Sequence, residues 1–431
     1  MDYDGFLNWL NSYSKFGIKL DLERIKFLCK RLNNPQDNYK TIHIGGTNGK
    51  GSISKYLASI LIDSRKKVGI YTSPHIERFS ERIIVNNNEI SESDLIKIYN
   101  QINPIISEME EQGLTPTYFE IVTAIAFLHF SIKKVDIAII EVGLGGRYDA
   151  TNIIKPILTI ISNVSLDHCD RLGDTIEKIS YEKAGIIKNN IPIITSAKNK
   201  ALEIIKKISK EKNSSLTTIS EKNYERINFN YEKQIFQVNI LDKKYIIKTK
   251  ILGKYQGENI SCAVAASVFL NDHNIKISKE NIINGIFKTK NPGRMEIVSK
   301  RPLIVLDGAH NLKGIKKLKK TLKNDFEFNR LILIIGILED KKYIDMLKEI
   351  IPLADKIITT KSKNKRSLNP YSMKKEIEYI DNKKAVTPID NIEQAVLIAK
   401  KEGGLKDIIV ICGSLFVVGE ARVFLKEISN F

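Results

Sequence analysis

The chain has 431 residues, 42% of them hydrophobic and 27% charged, with a formal net charge of +18. That length exceeds what one hydrophobic core usually organises, so two domains are expected. The longest apolar run, Leu331 to Leu338, is far too short for a membrane span, and four scattered cysteines (Cys29, Cys169, Cys262, Cys412) without a Cys-x-x-Cys pair argue against a disulfide framework or a zinc site.

The N-terminal Met1-Asp2-Tyr3-Asp4 has neither the basic nor the apolar stretch of a signal peptide. The expectation is a cytoplasmic protein with no membrane partner. The positive charge fits a nucleic-acid binder or an enzyme of anionic ligands. Lysines are spread over the whole length, and no RNA-binding aromatic motif or recognition-helix signature is visible. The enzyme is preferred, without a nucleic-acid partner.

In chain order, residues 1–40 read as two helices. Phe6, Trp9 and Leu10 share one face of the first; Ile25, Phe27, Leu28 and Leu32 belong to the second, which Asn33-Asn34-Pro35 ends. The β-branched run Thr41 to Ile44 reads as a buried strand broken by Gly45-Gly46. After Ser52 the pattern turns helical, with Ile53, Tyr56, Leu57, Ile60 and Leu61 on one face. Strand, glycine-rich turn and helix together aim backbone N–H groups and a helix dipole at an anion. Lys50 adds a mobile positive charge where β- and γ-phosphates would lie. The standard phosphate-loop pattern is not met in full: Ile44 stands at its first glycine, and Gly51 separates Lys50 from Ser52. A second strand, Val68 to Tyr71, runs into Thr72-Ser73-Pro74-His75, so Ser73 and His75 lie at the carboxyl edge of a βαβ unit, where ligands collect. Glu81 and Arg82 occupy a loop before a short strand, Ile83 to Val85.

A helix opens at Ser91 with Asp94 three residues on, and a more apolar, buried one begins near Thr117-Tyr118-Phe119-Glu120. Glu120 there could simply complement the helix dipole. The apolar run from Val135 ends in Glu141, the place of a Mg²⁺-directing acid in a phosphate-loop sheet, and a glycine-rich stretch with Arg147 and Asp149 follows. Strand Thr159 to Ile161 leads to Asp167-His168, a ligand candidate at the same edge. The helix from Thr175 closes with Glu182 and Lys183 before Gly185, where a solvated cation would also sit favourably. Residues 220–252 alternate as a small antiparallel insert with a hairpin signal at Leu241-Asp242-Lys243, and an alanine-rich helix follows Gly253. A boundary near Asn291-Pro292-Gly293-Arg294 divides the chain into domains 1–293 and 294–431. Beyond it, strands at Leu303–Leu306, Leu331–Ile335, Lys356–Thr360 and Ile408–Ile411 alternate with helices. The predicted fold is α/β: a phosphate-loop, mostly parallel sheet domain with the antiparallel insert, then a smaller Rossmann-like domain without a dinucleotide fingerprint.

Taken together the motifs resemble the folylpolyglutamate synthase/dihydrofolate synthase family of the Mur-ligase superfamily. They are Gly46-Thr-Asn-Gly-Lys-Gly-Ser52, Thr72-Ser-Pro-His75, Glu141-Val-Gly-Leu-Gly-Gly-Arg147 with Asp149-Ala-Thr-Asn152, Leu166-Asp-His168 and Glu182-Lys-Ala-Gly-Ile186. Asn259, Pro292-Gly-Arg294, Leu306-Asp-Gly-Ala-His-Asn311 and Gly413-Ser-Leu-Phe416 continue the series in the family's order. Tyr255 before Gln256 and Cys169 after His168 depart from its common pattern.

The resemblance implies a ligase that uses ATP to activate a carboxylate as an acyl phosphate and joins it to L-glutamate. Dihydropteroate and reduced folylpolyglutamates are the implied acceptors. It implies that Asn48, Gly49, Lys50 and Gly51 hold phosphates, that Ser52 caps the helix or touches a phosphate or metal water, and that Asn259, Arg294 and Asp307 contact the nucleotide, the last two from the hinge and second domain. It gives Ser73, Glu141 and His168 to Mg²⁺, and Lys183, as an N6-carboxylysine, to a second Mg²⁺. His310 would lie toward phosphate or glutamate, with Lys50, Lys183 and His310 the catalytic set. Thr117, Tyr118, Phe119 and Glu120, with Tyr148, Asp149 and Ala150, would line the pterin pocket. A monomer is expected. A cell-wall Mur ligase and a phosphate-loop kinase or ATPase are the alternatives.

Overall fold

The computed structural model describes residues 1–17, 19 and 21–429. By the density of internal contacts it divides into two units. One comprises residues 1–225, 238–246 and 258–288; the other comprises 226–237, 247–257 and 289–431.

The first unit is built on eight strands: β1 (Lys40–Gly45), β2 (Val68–Tyr71), β3 (Ile83–Val85), β4 (Asn88–Glu89), β5 (Ile137–Glu141), β6 (Leu158–Ile161), β7 (Ile193–Thr195) and β8 (Leu216–Thr218). Their order is β4-β3-β2-β5-β1-β6-β7-β8. From β2 to β8 every neighbour is parallel; only β3 and β4 run antiparallel, at one edge. The parallel strands are buried along almost their whole length, as helices on both faces require. Order and direction together bring the carboxyl ends of β2, β5, β1 and β6 side by side.

The helix Lys50–Asp63 follows β1 and buries Ile53, Tyr56, Leu57, Ile60 and Leu61. Ser54 and Ala58 are buried too, because the helix Lys279–Lys288 covers a further side of it. That contact depends on Gly285, where a β-carbon would come within 2.5 Å of Ile60 Cα. On the opposite sheet face, Tyr3–Ser12, Glu23–Arg31, Glu92–Glu111 and Tyr118–Ile132 form a layer over a broad apolar core. Trp9 packs at the rim of that core, edge-on to Tyr99 at 4.8 Å.

The insert has three strands, β9 (Tyr224–Phe229), β10 (Gln234–Ile240) and β11 (Lys243–Thr249), ordered β11-β10-β9, with its residues shared between the two units. Leu241 and Asp242 both take positive φ, 45° and 59°. Two such residues make the two-residue hairpin turn that the sequence signalled there.

The second unit has β12 (Glu296–Lys300), β13 (Leu303–Asp307), β14 (Leu331–Ile335), β15 (Lys356–Thr359), β16 (Ala385–Pro388) and β17 (Ile408–Cys412), ordered β12-β13-β17-β14-β15-β16. All pair in parallel except β12, an antiparallel edge. Its central strands are continuously apolar because each face meets a separate core. Val305, Leu333 and Val410 join one; Ile304, Ile334 and Ile409 join the other.

Candidate active site

At the end of β1 the chain turns through Gly46 and Gly49, with φ of 121° and 97°. Neither position tolerates a side chain. A β-carbon on Gly46 would lie 2.0 Å from Ser162 Oγ and 2.9 Å from the Ser162 nitrogen; one on Gly49 would lie 2.4 Å from Asn259 Oδ1. The loop is tied to the end of β6: Thr47 N–H donates to the Asn163 carbonyl at 2.7 Å, Asn163 Nδ2 donates to the Asn48 carbonyl at 2.8 Å, and Ser165 N–H donates to Thr47 Oγ1 at 3.1 Å. Asn163 also reaches Glu258, one residue before the buried Asn259. Sequence reasoning singled out none of Thr47, Asn163 and Glu258 as a separate site residue; only the fold brings them together.

The helix begins at Lys50, with Gly49 as its N-cap and no side-chain cap. This corrects one expectation: Ser52 stands in the first turn, past the cap position, and is buried. Lys50 Nζ curls back to the Gly46 and Thr47 carbonyls, at 3.3 and 3.5 Å, and lies 3.9 Å from Glu141 Oε1. Gly51 leaves room for Glu141, whose Oε2 would stand 3.4 Å from a β-carbon placed there.

Lys183 is not the solvated lysine its place near a helix end allowed. It is 5% exposed, and its Nζ donates to the same Gly46 carbonyl at 3.1 Å. No carboxylate lies within ion-pair distance among the described residues. Burial, reinforced by the charge of Lys50, brings the amine down from 10.5 to about 7, against the weaker opposing pull of Asp167 and Asp149. Two lysines thus converge on one carbonyl, with Lys50 also beside the buried carboxylate of Glu141.

The glycine-rich stretch after β5 is fixed onto the helix that carries Lys183. Arg147 N–H donates to the Glu182 carbonyl at 2.9 Å, and Asn152 Nδ2 donates to the Arg147 and Gly185 carbonyls. Asp149 accepts from Leu144 N–H, Thr151 N–H and Thr151 Oγ1. Burial raises its pKa. Since the Thr151 hydroxyl proton goes to Asp149, its oxygen accepts from His43 Nε2 at 2.8 Å. Burial lowers His43 to about 3. Asp149 is therefore committed to shaping the loop, while Ala150 is buried and Tyr148 is 45% exposed.

Thr117 caps the helix Tyr118–Ile132 and forms a capping box with Glu120. Glu120 Oε2 accepts from Thr117 N–H at 2.7 Å and from Arg24 Nε at 3.1 Å; Glu120 Oε1 is buried without a partner. Phe119 lies against Gly143, where a β-carbon would meet its ring at 2.4 Å. The first expected acceptor-binding stretch therefore packs on the glycine-rich segment after β5, upstream of Tyr148 to Ala150. Glu120→Ala strands Arg24, leaving it only the partly exposed Asp21, and should lower stability by about 3 kcal/mol. Glu120→Gln keeps the box and should lose less. Denaturant titration of both variants checks this.

Ser73 follows β2, Glu141 ends β5, and His168 follows β6 in a left-handed turn, its ring 37% exposed and 3.8 Å from Asp167. Among the described residues no three His, Cys, Asp or Glu side chains converge. A cation here would meet one carboxylate, one imidazole and one hydroxyl, with phosphate and water completing its shell. That mixed oxygen-rich set fits Mg²⁺, which keeps waters and phosphate ligands.

In the second unit Asp307 ends β13. It accepts from Met295 N–H and Ala309 N–H, both at 2.9 Å, and burial raises its pKa against the pull of Arg294. Arg294 Nη1 donates to the Gly308 carbonyl, which His310 Nδ1 also reaches, at 2.8 Å. These three expected residues form one cluster.

The Mur ligase middle domain matches residues 44–267, and the Mur ligase glutamate ligase domain matches residues 293–415. The dihydrofolate synthase/folylpolyglutamate synthase of Bacillus subtilis is 35% identical over 436 residues, covering 98% of this chain and 99% of that protein. Among solved structures, the Mycobacterium tuberculosis folylpolyglutamate synthase complexed with ADP and AMPPCP superposes with a TM-score of 0.90 at 27% identity, covering 98% of this chain and 99% of that one. Escherichia coli FolC in complex with DHPP and ADP gives 0.87 at 27%, covering 98% of each. The two Mur ligase domains and these relatives define an ATP-dependent ligase. The chain belongs to the dihydrofolate synthase/folylpolyglutamate synthase family of Mur ligases.

Proposed function

We propose that this enzyme joins the amino group of L-glutamate to the carboxylate of dihydropteroate, to the γ-carboxylate of reduced folylpolyglutamates, or to both, with ATP converted to ADP and phosphate. The carrying observation is the convergence of Lys50 and Lys183 on the Gly46 carbonyl beside Glu141. A glycine turn that gathers backbone N–H groups, a helix N-terminus and the Lys50 ammonium suits a polyphosphate.

In this reading the backbone of Asn48 to Gly51, with Lys50, holds the phosphates, and Ser52 lies in the helix turn behind them. The acceptor carboxylate attacks the γ-phosphorus to give an acyl phosphate and ADP. The glutamate nitrogen attacks the acyl carbon, phosphate leaves, and the nitrogen loses its proton as the amide forms. Ser73, Glu141 and His168 would hold Mg²⁺, which supplies charge neutralisation and a fixed phosphate orientation. Lys183 is proposed as an N6-carboxylysine: its buried neutral amine adds CO₂ and releases a proton, and the resulting anion suits a second Mg²⁺. Asn259, Arg294 and Asp307 are assigned to the nucleotide, and His310 to phosphate or glutamate. Thr117 to Glu120 and Tyr148 to Ala150 are assigned to the pterin side, Glu120 and Asp149 as supports of the pocket wall. A cytoplasmic monomer is proposed; no described helix is long and apolar enough to cross a membrane.

The test is ATP turnover. ADP and phosphate should form only when glutamate and either dihydropteroate or tetrahydrofolate are both present. Comparing those two acceptors separates the single activities from the double one. Turnover driven by a muramyl peptide or by nucleic acid alone would overturn the reading.

A further inference from the structure

Arg82 lies in the short helical turn Phe79–Arg82 and is 8% exposed. A guanidinium taken out of water normally meets a carboxylate. Arg82 does not: among the described residues its side chain makes one hydrogen bond, from Nε to His75 Nδ1 at 2.9 Å, and no ion pair. The acid next to it in sequence, Glu81, is occupied elsewhere, accepting from the backbone N–H groups of Ile76, Glu77 and Arg78 at 2.9, 3.0 and 2.9 Å. The guanidinium carbon lies 5.7 Å from the Tyr118 ring centroid. Tyr118 is the first residue of the helix whose capping box satisfies only the N–H groups of Thr117 and Glu120, and the charge of Glu120 is already matched by Arg24. A held fork of N–H donors therefore stands beside the first residue of a fifteen-residue helix, and the carboxylate of that helix's first turn, Glu120, is already taken by Thr117 and Arg24.

We infer that Arg82 binds a carboxylate of the acceptor substrate. His75 keeps the guanidinium plane fixed by accepting from Nε, which leaves the Nη edge for a two-point contact. Tyr118 offers its ring to the aromatic part of the same molecule. The inference rests on the function proposed above and adds to it a residue that selects acids among aromatic ligands. It makes Arg82 a substrate-binding residue on the loop between β2 and β3, beside the expected pocket stretches but outside both of them.

The test is equilibrium binding, without turnover, of dihydropteroate and of its decarboxylated analogue, in which hydrogen replaces the carboxylate. Wild-type protein should prefer dihydropteroate. Arg82→Gln should weaken dihydropteroate about 10- to 100-fold, leave the analogue unchanged and so erase the preference. Arg82→Lys, which keeps the charge without the fork, should fall between, and ATP binding by both variants should match wild type and show that they are folded. An Arg82→Gln protein that keeps the full preference overturns the assignment while leaving the proposed function intact. Wild-type protein that binds neither compound overturns dihydropteroate as an acceptor in the proposed function, and the inference with it.

Discussion

Lys183→Ala enzyme should turn over about 10²- to 10³-fold more slowly than wild type, the range for losing one electrostatic contact made in the transition state. Short carboxylates such as acetate should restore part of that activity if the side chain acts as a carboxylated anion. Stability should move the other way. Lys183 is buried with a single hydrogen bond, so Lys183→Met removes a desolvated amine and should stabilise the protein by about 1–4 kcal/mol in CO₂-depleted buffer. The pH dependence follows from the lowered pKa. Below about 7 the lysine is charged in the folded and unfolded chain alike, and the full burial penalty applies. Between about 7 and the unfolded value of 10.5 the folded chain binds fewer protons, so wild-type stability rises with pH and the methionine advantage shrinks. Denaturant midpoints at pH 6.5 and 9.5, with activity measured alongside, check both halves. A variant that is less stable and inactive would make Lys183 a packing residue.

Gly46→Ala should be the most damaging one-carbon change in the phosphate loop. The added carbon meets Ser162 Oγ at 2.0 Å, and φ of 121° is strained for any side chain. Removing the hydroxyl cannot rescue it, because the Ser162 nitrogen, only 2.9 Å away, is backbone. The loop must move, and with it the carbonyl on which both lysines converge. Turnover should fall about 10²-fold, since displacement by about 1 Å is enough for a loss of that size, and ATP affinity should fall with it. Gly46→Ala/Ser162→Ala should recover little of it. Isothermal titration with ATP, alongside circular dichroism to verify folding, measures both. Recovery of wild-type affinity in the double variant would place the whole effect in the hydroxyl.

Much of this was readable in the sequence for simple reasons. Buried parallel strands are short, largely apolar runs rich in isoleucine and valine, and β1, β2, β5, β14 and β17 announce themselves that way. Glycine turns after β1 and β5, and carboxylates closing β5 and β13, marked the ligand edges. Short strands were not readable: the inner β7 and the edges β8, β12 and β16 have three to five residues each and carry no periodicity. The strand order was hidden as well, because nothing local tells the β5 segment to lie between β2 and β1. Long-range burial was the larger gap. Lys183 has the same sequence environment whether it meets water or Gly46, 137 positions away. Arg24 and Glu120 pair across 96 positions, and Arg82 looks like any charged loop residue until its lack of an acid is seen in space.

The close packing of the helix Lys50–Asp63 on Gly285 has a consequence for synthesis. Ser59 and Gly285, joined by a hydrogen bond, are 226 positions apart. At ribosomal rates of ~5–20 residues per second, the N-terminal partner waits roughly 10–45 s for the other to be made. During that interval the helix that carries the phosphate loop has an apolar flank with no partner, on a chain already long enough to have formed most of its first sheet. The nascent protein is thus exposed to aggregation at the very element proposed to bind its nucleotide, for as long as synthesis takes to cover those 226 positions.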